Sequence, residues 1–173
     1  MAFTLYAATI PSYLQILNSV SRLIDKAGAF CGENGIEPEA LIHARLAVDM
    51  LPFAYQVKST AVHSIGAIEG VRNGIFSPDT STPPATFDGL RDRIAQTIAA
   101  LDAIHPDEVE GFIGKDMRFE FGSNAMVFAA EEFLLSFSQP NFYFHATTAY
   151  DILRMQGVPI GKRDFNGRVR KRD

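Results

Sequence analysis

Four polar residues occupy consecutive positions where a buried helical stripe would carry leucine. Ser138, Asn141, His145 and Thr148 recur at spacings of three and four, between Leu134 on one side and Ile152 and Met155 on the other. Burying such groups without partners costs a few kcal/mol each, so a partner helix, water, a ligand or a metal must satisfy them. A second segment offers a counterpart. His63 lies on the flank of an apolar stripe, and Thr60, Ala67 and Gly70 one turn away are small enough to leave room beside it. His63 and His145 are therefore expected to face each other, with Asn141 one turn from His145. Two chemistries suit that pair. One is a divalent metal on both imidazoles, activating water or acting as a Lewis acid. The other is a polar core in which the two rings are hydrogen-bonded.

The neighbouring residues widen the candidate pocket. Pro140 removes a backbone donor inside the expected helix, so Asn141 either satisfies a freed carbonyl or orients a substrate or His145. Tyr143 and Asp151 either supply a proton or a supporting contact, or face solvent or a partner subunit. Asp49 is the best available carboxylate for the site, with a helix-capping role as its alternative. Phe133, Phe137, Phe142, Phe144 and Tyr150 surround the stripe and read as core or interface. His43 and His105 sit near segment ends, outside the pocket, and Cys31 fits a core position.

Four long segments with helical periodicity must position these residues. The first carries Tyr13, Leu17, Val20, Ile24, Ala27 and Cys31 on one stripe and ends at Gly32–Gly35. Pro11 either opens this helix or kinks one already begun near Phe3. A short helical piece over 38–47 leads into the second helix, with Val57, Ala61, Ser64, Ile68, Val71 and Ile75 inward and Pro52 in its first turn. Residues 77–85 form a loop. The third helix runs over 86–104 and stops at Pro106. Residues 117–128 alternate around Gly122-Ser123-Asn124 and predict a small β-hairpin, the only strand structure expected. The fourth helix covers 129–156, with Gly157 at its end. The predicted fold is mostly α: one four-helix bundle over residues 1–173, with a small hairpin before the last helix and a flexible basic tail from about 166.

Composition narrows the function classes. The chain has 173 residues, 47% of them hydrophobic and 21% charged, with a net charge of −4. That balance suits one sizeable core and gives no global electrostatic case for nucleic acid or an anionic membrane. A single cysteine rules out an internal disulfide, no apolar run reaches the roughly 18 residues that would span a bilayer, and no leader is evident. A cytoplasmic location is the expectation, without membrane or nucleic-acid partners. Gly-rich phosphate loops, nucleophile elbows and HExxH motifs are missing from the sequence.

Several stretches resemble a bacterial family defined only as a domain of unknown function and similar to the DinB/YfiT-like bundles. They are Arg45–Met50 with Gln56-Val57, then Pro140–His145, Thr148–Arg154 and Gly157–Phe165. The resemblance covers nearly the whole chain. It implies a four-helix bundle, frequently a homodimer, with a pocket between helices. In better-known relatives three histidines there hold a divalent metal such as zinc or nickel, one from the second helix and an HxxxH pair from the last. His63 matches the second-helix position and His145 the second histidine of the pair, while the first falls on Asn141. An amide oxygen is a poor ligand for zinc or nickel. The expected function is thus a small-molecule-binding or structural dimer with a degenerate metal site. Its ligand pocket would comprise His63, Asn141, His145, Thr148, Tyr143 and Asp49. The alternative is a divalent-metal-dependent enzyme of thiol-dependent transferase, isomerase or hydrolase type.

Overall fold

In the computed structural model, which describes residues 3–171, the first helix begins six residues before Pro11. Thr4 caps it by accepting the Ala7 N–H at 3.1 Å, and α1 runs Leu5–Asn34 with Pro11 inside. Gly35 closes it in the left-handed conformation, φ 64°, where a side chain would be strained. The short α2 spans only Pro38–Ile42, and residues 43–52 are irregular rather than helical. The next helix starts at Phe53 behind Pro52, with no side-chain cap, so the capping role suggested for Asp49 is not used.

That second helix comprises α3 (Phe53–Ala61), a π-helical turn at Val62–Gly66 and α4 (Ala67–Asn73). Gly74, at φ 72°, ends it one residue before Ile75. Ile75 was expected on the helical stripe, but it begins strand β1 (Ile75–Phe76). Phe76 packs so closely on Gly70 that a Cβ there would lie 2.9 Å from the Phe76 Cβ. β1 pairs in parallel with β2 (Asp116–Phe121), which pairs antiparallel with β3 (Asn124–Ala129). The hairpin is as expected, but the sheet has a third strand, in the order β1-β2-β3.

The remaining helices are α5 (Phe87–Asp102), α6 (Pro106–Glu110), α7 (Ala130–Glu132), a second π-helical segment at Phe133–Ser138, α8 (Gln139–Met155) and α9 (Lys162–Asn166). Helix α8 packs on α3, α3 on α5, α5 on α1 and α1 on α8, which closes a four-membered bundle. Its centre holds Tyr13, Leu17, Ile24, Phe53, Ile68, Leu90 and Phe142, all fully buried. Tyr13 and Phe142 meet edge-on, with centroids 4.8 Å apart. No described helix is long and apolar enough to cross a membrane.

Candidate functional site

Both π-helical segments converge on the polar stripe. A π turn inserts an extra residue, shifts the backbone register and leaves a carbonyl seeking a donor, which is why such turns recur at functional sites. His63 sits in the first segment and Ser138 closes the second. The Ser138 hydroxyl donates to the His63 carbonyl at 3.2 Å, and its oxygen lies 3.2 Å from His63 Nδ1. With its one proton spent on the carbonyl, Ser138 accepts from Nδ1–H.

The second imidazole is assigned by the same reasoning. Gln56, buried in α3, donates its Nε2–H to the Leu51 carbonyl at 2.8 Å. A carbonyl only accepts, so the amide orientation is settled and Oε1 faces His145 Nδ1 at 2.7 Å. Nδ1 therefore carries the proton in both rings, and each Nε2 offers a lone pair. Neither Nε2 bonds to a protein atom among the described residues. Both histidines are partly exposed.

The rings stack at 5.5 Å between centroids, tilted by 18°. Phe76 and Phe137 lie 5.6 and 6.3 Å from the His63 ring, and Tyr55 and Phe144 lie 6.1 and 5.3 Å from that of His145. Burial among these rings pushes both imidazoles down to about 4, and for His63 the neighbouring His145 adds to the effect. Both are neutral at physiological pH.

The other sequence-selected residues separate into different places. The Asn141 Nδ2 donates to the Phe137 carbonyl at 2.8 Å, one turn back on its own helix, which is not the carbonyl that Pro140 leaves without a donor. Thr148 bonds back to the Phe144 carbonyl at 2.8 Å. Tyr143, Thr148 and Asp151 line a groove of about 570 Å³ with Leu46, Met50 and Phe144, and the imidazoles are not on its walls. Asp49 is exposed on the 43–52 segment and lines neither feature. On the stripe itself Leu134, Ser138, Thr148 and Ile152 are buried, but Met155 in the last turn is half exposed. Gln56 escaped notice as a site residue. Its signal is the seven-residue spacing to His63, which puts the two on one helical face.

A zinc or nickel site of the kind the resemblance implies needs three protein ligands. Two Nε2 lone pairs are available here, but Gln56 and Ser138 are neutral and engaged with protein partners, and Asn141 offers only an amide oxygen, a poor ligand for either ion. No group of three His, Cys, Asp or Glu side chains among the described residues is placed to hold an ion. The donor set therefore does not fit that metal.

Fold and site together define a helical bundle with an inter-helix histidine site, and comparison with known proteins gives the class. Residues 5–166 match the family described as Domain of unknown function (DUF1993), and the chain belongs to it. A DinB family member protein from Shewanella denitrificans has a similar crystal structure. Its TM-score is 0.81 at 25% sequence identity, over 98% of this chain and 95% of that one. The fold is DinB-like. No curated protein sequence matches this chain.

Proposed function

We propose that this protein binds a small molecule through a metal-free imidazole pair, His63 and His145, between its second and last long helices. The observation that carries the reading is the matching contact of each Nδ1, with Ser138 and with Gln56, which assigns both rings the same tautomer. Both rings hold Nδ1–H against a neutral partner and leave Nε2 without a protein hydrogen bond among the described residues, inside an aromatic surround. Two adjacent acceptors flanked by rings suit a ligand with an apolar body and an O–H or N–H donor. Binding is favoured over general-base catalysis because a base of pKa about 4 is poorly matched to proton abstraction near neutrality.

Phenol and its methyl ether, anisole, are matched probes for this site. Phenol should shift the His63 and His145 ring resonances several-fold more strongly than anisole, and His145→Phe should remove the difference. Equal binding of both probes would refute the acceptor role. Elemental analysis of protein purified without an affinity tag provides an independent check. Stoichiometric zinc or nickel would overturn the metal-free reading in favour of a metal-dependent enzyme. We further propose a homodimer, supported by the exposed Leu46, Val48, Leu51 and Phe144. Sedimentation equilibrium giving only monomer would refute it.

A further inference from the structure

The segment after α9 does not run free into solvent as far as it is described. Asn166 accepts the Gln15 amide at 2.9 Å, and Arg170 donates to the Ser12 hydroxyl at 3.2 Å, so residues 166–170 lie along α1. Gly167 makes this path possible. Its backbone, φ 60° and ψ −141°, is open only to glycine, and a Cβ there would collide with the Arg22 guanidinium and the Ser19 hydroxyl. The result is a pocket of about 340 Å³ walled by Pro11, Leu14, Asn18, Arg22, Arg168 and Arg170, together with Gln15.

Among the described residues no carboxylate lines this pocket, although the chain as a whole carries a net charge of −4. Arg22, Arg168 and Arg170 take part in no ion pair among the described residues, whereas Arg72, Arg91 and Arg118 do. Asp164, near enough to feel the charge of Arg22, is engaged through one oxygen with Lys26 and through the other with the Gly161 N–H, each at 2.7 Å. Each guanidinium has five N–H donors. Arg22 spends one on Ser19 and Arg170 one on Ser12. Like charges gathered in one concavity repel each other, and an anion with several acceptor oxygens relieves that repulsion.

The geometry points to a phosphoryl-anion site formed by Arg22, Arg168 and Arg170, separate from the imidazole pair. Its ligand is a small phosphate- or diphosphate-bearing molecule, because the volume admits a compact ligand and arginine forks match phosphate oxygens.

Inorganic pyrophosphate, titrated calorimetrically into the full chain at low salt, is the probe. The expectation is one site per chain, weakened by added salt and weakened at least about tenfold in R22Q/R170Q, the loss of two charge-assisted contacts. Arg168→Gln, at an exposed position, gives the same direction of change without threatening the fold. Absence of binding at millimolar pyrophosphate overturns the proposal, as does unchanged binding in Arg168→Gln. A short single-stranded oligonucleotide that binds tighter than pyrophosphate also overturns it, in favour of an extended nucleic-acid surface.

Discussion

Replacing Gln56 by Glu tests the tautomer assignment at its most sensitive point. The His145 Nδ1–H donates to Gln56 Oε1 across 2.7 Å, and Gln56 is 2% exposed. Gln56→Glu keeps the shape and the acceptor but adds a negative charge. Two unit charges about 4 Å apart interact by about 4 kcal/mol at an effective dielectric constant near 20, the equivalent of about 3 pKa units. Burial of the new carboxylate takes back part of that, leaving a net rise of about 2 units. His145 should therefore move from about 4 to about 6. The assay is a pH titration of both imidazoles by NMR, with His63 as the internal reference. A charged His145 pushes the stacked His63 down, so His63 should not rise. His145 staying below about 5, or His63 rising in its place, would refute the argument. Gln56→Met, which removes the acceptor, should cost about 1–2 kcal/mol in urea unfolding.

Three further outcomes can be measured directly. Both histidines have folded-state values near 4, below the unfolded value of about 6.5, so the unfolded chain takes up protons first. The stability contributed by the pair should be full above about pH 7, fall as pH drops through 6.5 and be lost by about 4, by up to about 3 kcal/mol per ring; in His63→Gln/His145→Gln the loss between about pH 7 and 5 should be much smaller. Lys58, 3% exposed, bonds to the Asp79 and Ser81 carbonyls at 2.8 and 2.6 Å and pairs with the Asp79 carboxylate, so Lys58→Met should lose about 2 kcal/mol and speed proteolysis within 77–85. A protease-resistant variant would show that the lysine does not hold that loop. Gly70→Ala should destabilise by about 1–3 kcal/mol and disturb β1, because Phe76 occupies the space a Cβ needs; thermal unfolding at the wild-type temperature would contradict it.

Local patterns made the bundle legible. Stripes such as Tyr13–Leu17–Ile24 and Leu90–Ile94–Leu101 are read from side-chain period alone, and each is buried as its spacing requires. Gly35 and Gly157, the latter at φ 86°, mark helix ends because left-handed backbone is cheap only for glycine. The pairing of His63 with His145 followed from polarity on an inward stripe, since buried polar groups need partners. Other features were set by tertiary contacts. The two π-helical turns do not follow from side-chain period, and they set the backbone register at the histidines. Gln56 became a site residue through the Leu51 carbonyl, a partner on an irregular segment that no periodicity places. Ile75 left its helix for a strand because Gly74 turns the chain and β2 supplies an edge from more than forty residues away. Asp49 fell outside the site because the segment that carries it never became helical. The sequence by itself determined which faces are apolar and which residues on them are polar, because those follow from side-chain chemistry and local geometry. Only the tertiary structure decided which polar atoms meet, and with them the tautomers and charges of the two imidazoles, because each hydrogen bond joins atoms brought together by packing.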